Sequence, residues 1–507
     1  MTLDEGPVLP DPPRRRSRRR WSWPIVFSLI VILAATVRFY AIGRRSFWFD
    51  EGLSLGMARL PLADLLRNSW NPRLNNQILY YLLLWPWHAF GEAESTVRAF
   101  SAVFSIGAVV VLCILGRELF GTAAGLVAGA VLALHPNAIW FAQEARAYSL
   151  TTFLVCLSAL FLAQVIRKGR RRDVVCWSAA SVLALYSHFF ALFVVGAQVF
   201  SVFALGRRDL AGRAKGIGAG VVAIGVLASP IAAFSLFLPS GLSLYWVMPL
   251  TYSRFTSVAA FLAGGKMFLF VFYVALFAVV AANALGTRQA ERRWGMALAL
   301  AWAIIPVLAM SAASIGRPIL VERYLLASVP GWALSCGIVV GPLMERRRLA
   351  ALAYAITGFI LIAEVEGMEG NYTDAFEDWR TPAFQVSAVT RPGDAILYES
   401  PWAGLAFGYY LDRAPRQPER LQAGPLLFSG TFDVARAAER ERVWLVLSRE
   451  NEPQADCLLP EGIARLHREL VRSHPIVSAF DYGPLKILLY DERARSLGEG
   501  AFGRPLQ

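Results

Sequence analysis

Phe47-Trp48-Phe49-Asp50-Glu51 follows directly on the first long apolar segment of the chain. Two adjacent carboxylates stand behind aromatic residues, at the point where a chain leaving lipid would re-enter water. Aromatic rings belong at a membrane–water interface, whereas carboxylates there are costly unless solvated, paired or working. A solvated loop held by an aromatic belt explains this segment as well as a working site does. The rest of the chain has to decide between them.

The 507 residues are 56% hydrophobic with a mean hydropathy of +0.46, too apolar for a soluble enzyme of this length. Apolar runs of roughly 17–25 residues, each able to cross about 30 Å of hydrocarbon, recur through most of the chain. They fall at Pro24–Ile42, Ser95–Leu115, Thr122–Trp140, Tyr148–Ile166, Val174–Ser187, Phe189–Leu205, Gly216–Leu238, Val258–Leu285, Gly295–Ser314, Tyr324–Met344 and Leu349–Glu364. The pattern predicts an α-helical polytopic membrane protein with about eleven transmembrane helices. The two runs flanking His188 are short enough to form a tight hairpin instead.

A net charge of +13 and a pI near 9.8 would suit nucleic acid if the charge formed one patch. Instead it lies in short loops: Arg14–Arg20, Arg167–Arg172, Arg207-Arg208 with Arg213 and Lys215, Arg288 with Arg292-Arg293, and Arg346–Arg348. Alternate loops carry these clusters, which by the positive-inside rule lie with the N-terminus in the cytoplasm. The basic balance is therefore topology and attraction to anionic membrane lipids, and no nucleic-acid partner is expected. The Asp50-Glu51 loop, the loop around Glu144, the Ser187-His188 corner, the loop ending at Arg323 and everything beyond about Val365 are then extracytoplasmic. The location expected is the inner (plasma) membrane. The Arg-rich start resembles a signal peptide but shows no small-residue cleavage site, so it reads as an uncleaved first helix. Arg38, near the outer end of that helix, is expected to snorkel to the interface.

Of the five cysteines, Cys113, Cys156, Cys176 and Cys336 sit in apolar runs and Cys457 stands alone in the tail, so no disulfide or structural zinc site is suggested. Composition changes after Gly367. Asp378-Trp379-Arg380 opens a helix, Arg391-Pro392-Gly393-Asp394 reads as a turn, and β-like runs follow at Ala395–Glu399, Val443–Ser448 and Leu485–Tyr490. The organisation expected is a cytoplasmic Arg-rich tail (1–23), a transmembrane unit (24–364) and an extracytoplasmic α/β domain (365–507). The α/β part has no Gly-rich phosphate motif.

Arginine is disfavoured in outer loops, so its occurrences there carry weight. Glu144-Ala145-Arg146-Ala147-Tyr148 stands at the end of the third span, and Arg323-Tyr324 repeats the theme at the start of the tenth. A planar guanidinium fork matches phosphate oxygens, although pairing with Glu144 or with lipid phosphates is an equally simple role for Arg146. Tyr186-Ser187-His188-Phe189 forms a corner in which a packed histidine is more usual than a metal ligand. Asn75–Tyr81 enters a short apolar run suited to an interfacial helix lining a cleft. Arg98 reads as an interfacial anchor. Together these residues describe an outer-surface cleft with carboxylates, arginines to grip an anion and aromatic rings to stack on sugar. A sugar carried on a polyprenyl phosphate would fit it, with Asp50 as the base for an acceptor hydroxyl.

In order through the chain, Phe49-Asp50-Glu51, Leu79–Leu83, Phe90-Gly91 with Glu94, Arg98, Gly116–Gly121, Gln143–Tyr148, Tyr186–Phe189 and Arg323-Tyr324 ahead of Pro330 resemble the GT-C class of integral-membrane glycosyltransferases. The likeness is to the bacterial dolichyl-phosphate-mannose-protein mannosyltransferase-like branch and to the lipid A aminoarabinose transferase. The resemblance implies a glycosyltransferase using a lipid-phosphate donor of a hexose or pentose, with a glycan, lipid or protein acceptor. It gives Asp50 the role of catalytic carboxylate and Glu51 a supporting one. Arg146, Tyr148 and Arg323 would contact the lipid phosphate, and Glu144, His188 and Tyr324 would line the substrate site. The chain departs from the pattern at Asn76-Gln77-Ile78, where relatives commonly carry His-Pro or Pro-Pro. No cofactor is fixed by the resemblance, and a divalent metal ion is left open because some relatives use one. A lipid-linked sugar transporter or flippase would place its site at the midplane on broken helices related by internal repeats, whereas here the acidic residues cluster at the outer mouth and no repeat is apparent. A non-catalytic assembly scaffold would tolerate loss of Asp50.

Overall fold

A computed structural model of the protein describes residues 23–70, 77–237, 247, 249–373, 377–398, 401–421, 436–437, 439–448, 468, 470–471, 474–482 and 485–493. The Arg14–Arg20 tract, Asn75, Asn76 and Cys457 lie outside the described residues. Helix α1 (Trp23–Phe39) is followed by three short helices, α2 (Phe49–Ala58), α3 (Leu62–Ser69) and α4 (Ile78–Trp87). The bundle continues with α5 (Glu94–Phe120), α6 (Thr122–Leu134), α7 (Pro136–Trp140), α8 (Tyr148–Lys168), α9 (Arg171–Ser187), α10 (Ala191–Ser201), α11 (Arg207–Ala211) and α12 (Ala214–Phe237). It closes with α13 (Tyr252–Leu262), α14 (Met267–Gly286), α15 (Ala290–Gly316), α16 (Val329–Glu345) and α17 (Ala350–Gly367).

Among the described residues, seven helices are long and apolar enough to cross a bilayer, and eight spans result if the bent pair Thr122–Leu134 and Pro136–Gln143 crosses as one. The apolar helices Trp23–Phe39 and Ala191–Ala204 are shorter. The sequence pattern yields more spans because it counts every apolar run. The run opening at Val174 belongs to a helix whose first turn is Arg171-Arg172-Asp173, which leaves a short apolar stretch.

At the centre, α6 is packed between α5 and α16. A Cβ added to Gly125 would lie 2.3 Å from the Cys113 carbonyl oxygen, and one on Gly337 would lie 2.2 Å from that of Ala124. Backbone approaches this close need glycine, and in lipid such small-residue packing is a main source of helix association. The chain then breaks by 63° between Leu134 and Pro136. Pro136 lacks an N–H and pushes His135 out of helical geometry, to φ −59° and ψ 118°. The break strands carbonyls at the end of α6, and Arg38 takes them: it donates to Ala133 O at 2.7 Å and Leu132 O at 3.2 Å, and to Ser105 Oγ at 2.8 Å. Arg38 is fully buried and does not snorkel to the interface as the sequence suggested. A helix terminus inside the bundle holds it.

Beyond α17 come α18 (Glu369–Thr373), α19 (Arg380–Val389) and α20 (Pro401–Leu411), with strands β1 (Ala395–Tyr398), β2 (Glu419–Arg420), β3 (Arg442–Ser448), β4 (Ile476–Asp481) and β5 (Leu485–Asp491). The sheet order is β2-β1-β3-β5-β4, with β1 parallel to β2 and β3, and β5 antiparallel to β3 and β4. Every residue of β1 is buried, as expected for an interior parallel strand. The Asp378 side chain accepts from the backbone N–H groups of Arg380 (3.0 Å) and Thr381 (3.1 Å), so it caps α19 where the sequence predicted a helix start. The sequence missed β2, which is only two residues long, and the half-exposed β4.

Candidate active site

The two carboxylates of the opening motif have opposite environments. Trp48 is extended (φ −96°, ψ 174°) and starts α2, and Glu51 turns back to accept from the Trp48 N–H at 3.3 Å. Arg98 Nε and Nη2 grip the two Glu51 oxygens at 2.8 and 2.7 Å, and the Ala145 N–H donates to Oε1 at 2.8 Å. Arg98 also donates to the carbonyls of Ile42, Arg45 and Ser46. Both side chains are shut away from solvent. Arg98 is therefore not the interfacial anchor expected. It is half of a buried pair that ties α2 to α5 and to the Glu144–Tyr148 loop. Held in this way, both Glu51 carboxylate oxygens are taken up by hydrogen bonds to protein groups.

Asp50, one residue earlier on α2, retains a little exposure and lies beside Arg146, with Oδ2 to Nη2 at 3.4 Å. Arg146 Nη1 reaches the Asp50 carbonyl and the Tyr81 hydroxyl, both at 3.4 Å. Arg146 is buried, and its Nε has no hydrogen-bond partner among the described residues. Burial alone would pull its pKa down, but Asp50 and then Tyr81, Tyr148 and Tyr324 hold the guanidinium above its ordinary range. Its charge is thus secure, and its contacts are long enough to be exchanged for an incoming anion. Arg146 pairs with Asp50 rather than with Glu144, the simpler partner weighed from sequence.

Aromatic side chains surround this pair. The His188 ring sits 4.9 Å from that of Tyr324 and 5.6 Å from that of Tyr148, while Phe190 stacks on Tyr324 at 4.8 Å. Arg323 lies over the Trp48 ring at 5.5 Å and within electrostatic reach of Asp50 and Glu144. Burial, and then the charges of Arg146 and Arg323, push the His188 pKa down to about 3, which leaves a neutral imidazole near neutral pH. Gln77 Oε1 accepts from the Ala147 N–H at 3.3 Å. It thereby fastens the start of α4 to the arginine loop.

Glu144 faces a small cavity shared with Arg45, Trp48, Trp140 and Glu377. Trp140 Nε1 donates to Glu144 Oε1 at 2.7 Å, whereas Oε2 has no hydrogen-bond partner among the described residues. Burial, reinforced by the negative charge of Glu51, pushes this carboxyl up to about 7 against the opposing pull of Arg45, Arg323 and Trp140. Glu377 is a site neighbour that the sequence reading did not single out. Its only sequence signal is an acid just before Asp378-Trp379. Among the described residues no group of three or more His, Cys, Asp or Glu side chains converges to hold a metal ion.

The structure thus brings Asp50, Glu51, Glu144, Arg146, Tyr148, His188, Arg323 and Tyr324 into one region, and Glu51 is distinguished within it by its closed ion pair. The fold is that of the GT-C class of membrane glycosyltransferases. Over 92% of this chain and 97% of the other, it superposes with a TM-score of 0.58 and 15% identity on ArnT from Cupriavidus metallidurans in the apo state. The same enzyme bound to undecaprenyl phosphate matches with a TM-score of 0.58 and 15% identity, over 92% and 98% of the two chains. The oligosaccharyltransferase AglB from Archaeoglobus fulgidus, in complex with an inhibitory peptide and a dolichol-phosphate, matches at 0.54 and 13% identity over 85% and 70%. Residues 78–234 match the family described as dolichyl-phosphate-mannose-protein mannosyltransferase. No curated protein matches the sequence.

Proposed function

We propose that this protein transfers a sugar from a polyprenyl-phosphate-linked donor to the hydroxyl of an extracytoplasmic glycan, lipid or protein, with Asp50 as general base. The observation that carries this reading is the loose Asp50–Arg146 pair, in which a buried arginine has no hydrogen-bond partner for its Nε among the described residues and lies beside a carboxylate that keeps a little exposure. The donor phosphate would take the Arg146 fork and the charge of Arg323, with Tyr148 beside them. Glu144, His188 and Tyr324 would line the sugar. Asp50 would accept the acceptor's proton as its oxygen bonds to the anomeric carbon. The bond from that carbon to the phosphate oxygen breaks, and its electron pair leaves on the lipid phosphate, whose growing charge the arginines stabilise. Glu51 supports the step by fixing α2. The undecaprenyl-phosphate and dolichol-phosphate complexes of the structural relatives are consistent with such a donor.

The direction of α8 supports the proposed sidedness. Its 21 residues run from Tyr148 at the site to the basic Arg167-Lys168 end, about 30 Å away, and basic loops face the cytoplasm. On this reading residues 24–364 form the transmembrane unit, residues 365–507 an extracytoplasmic domain, and the membrane is the inner (plasma) membrane. To test the function, purified protein is incubated with a panel of polyprenyl-phosphate sugars while release of free polyprenyl phosphate is followed. Asp50→Asn should lower turnover by about two or more orders of magnitude with donor binding kept. Near wild-type turnover in that variant would overturn the mechanism.

A further inference from the structure

We infer that α20 and Glu377 clamp the N-terminal half of α2, so that the C-terminal α/β region sets the position of Asp50. The inference rests on the reading of Asp50 as the base. Its first support is backbone proximity. A Cβ on Gly52 would lie 2.9 Å from Ala406 N and 3.0 Å from Ala406 Cα, and one on Gly56 would lie 3.0 Å from Leu405 Cδ2. Gly52 and Gly56 stand one turn apart on α2, so α20 lies directly on the face they open.

The second support is the fate of the amides around the start of α2, which have no partner within the helix. The Phe47 N–H donates to the Tyr410 hydroxyl at 2.6 Å, and that hydroxyl donates to Glu94 at 2.8 Å. The Phe49 N–H donates to Glu377 Oε2 at 3.2 Å. Ser46 joins the same seam, with Oγ donating to the Glu377 carbonyl at 2.8 Å and accepting from the Trp379 N–H at 3.1 Å. The Tyr409 ring meets Phe47 edge-on at 4.9 Å. On its other side α20 is anchored to the sheet, with Phe407 packed 6.0 Å from Tyr398 of β1. A continuous path of packed groups therefore runs from the sheet through α20 to the turn of α2 that carries Asp50. Tyr410 and Glu377 are positioning residues here: the Tyr410 hydroxyl and Glu377 Oε2 hold the Phe47 and Phe49 amides, while the Glu377 side chain also lines the small cavity beside Glu144.

The test uses the full chain in lipid nanodiscs and compares Tyr410→Phe, Gly52→Ala and Asp50→Asn. Three quantities are read: amide hydrogen exchange over residues 47–53, affinity for undecaprenyl phosphate, and turnover at saturating donor. Tyr410→Phe and Gly52→Ala should speed that exchange by about tenfold or more. They should lower turnover by about tenfold or more through misplacement of the base, while undecaprenyl phosphate binds within about threefold of wild type. Tyr410→Phe removes a single oxygen, so it tests the clamp even if Gly52→Ala does not fold. Unchanged exchange and turnover in Tyr410→Phe would overturn the clamp. So would a loss of lipid affinity in parallel with turnover, because that marks general collapse of the site. Asp50→Asn should leave exchange unchanged. If it also leaves turnover unchanged, the base assignment fails, and the exchange data still decide whether α20 holds α2.

Discussion

Glu51→Gln removes one charge from a pair that is closed to water. The Glu51 carboxylate takes two hydrogen bonds from Arg98 at 2.8 and 2.7 Å and one each from the Trp48 and Ala145 amides. After substitution the Arg98 guanidinium stays buried, opposed by the carbonyls it contacts and by the more distant charge of Glu94. Breaking a buried pair from one side costs about 3–5 kcal/mol. The remaining carbonyl contacts from Ile42, Arg45 and Ser46 put Glu51→Gln toward the lower end of that range. Arg98→Met strands the carboxylate instead and should cost a similar amount. The assay is thermal denaturation in detergent of Glu51→Gln, Arg98→Met and the double variant. The double variant should be more stable than the sum of the two losses predicts by about 2 kcal/mol or more, because the second change removes the charge that the first left unpaired. Turnover should fall less in Glu51→Gln than in Asp50→Asn, since Glu51 braces and does not take the proton. Additive losses in the double variant, or a Glu51→Gln protein as stable as wild type, would refute the picture of a desolvated brace.

The Glu144 carboxyl is held near 7, so between about 4.5 and 7 the folded chain binds a proton that the unfolded chain has released. Stability from this group is present below 4.5 and lost as pH rises to about 7, an effect of about 3 kcal/mol. Glu144→Gln should flatten the dependence of Tm on pH across that window, and an unchanged slope would remove Glu144 as its source. Arg146→Ala should weaken donor binding and slow turnover together, with Arg146→Lys recovering little because an ammonium does not reproduce the guanidinium fork. Unchanged donor affinity in Arg146→Ala and Arg323→Ala would leave the phosphate without these ligands. A reporter active only in the cytoplasm and fused after Gln507 should stay silent, and a strong signal there would invert the topology proposed for the site.

Hydropathy made the helical membrane class legible, because a backbone in hydrocarbon must satisfy its own hydrogen bonds and long apolar runs have no other use. The helix start at Asp378 and the strands near 395, 443 and 485 were readable for local reasons, a cap and runs of β-forming residues. The order of Asp50, Arg146, His188 and Arg323 along the chain was enough to nominate one site. Sequence could not say which acid pairs with which arginine. Asp50 and Glu51 are neighbours, but the helical turn sends one to Arg146 at 3.4 Å and the other to Arg98 at 2.7 Å, so only the folded arrangement separates a loosely paired carboxylate from a tightly paired one. Arg38 and Arg98 look alike in sequence, as arginines near helix ends at an interface. The Pro136 break gives one a set of stranded carbonyls and Glu51 gives the other a carboxylate, and both gifts come from distant segments. Glu377 and α20 were invisible as site elements because their partners lie more than three hundred residues earlier in the chain. The chain's own chemistry therefore determined what its segments could become in lipid. Tertiary packing decided which charges were tightly paired and which were left loosely held, because the strength of a charge depends on the neighbours that replace its water.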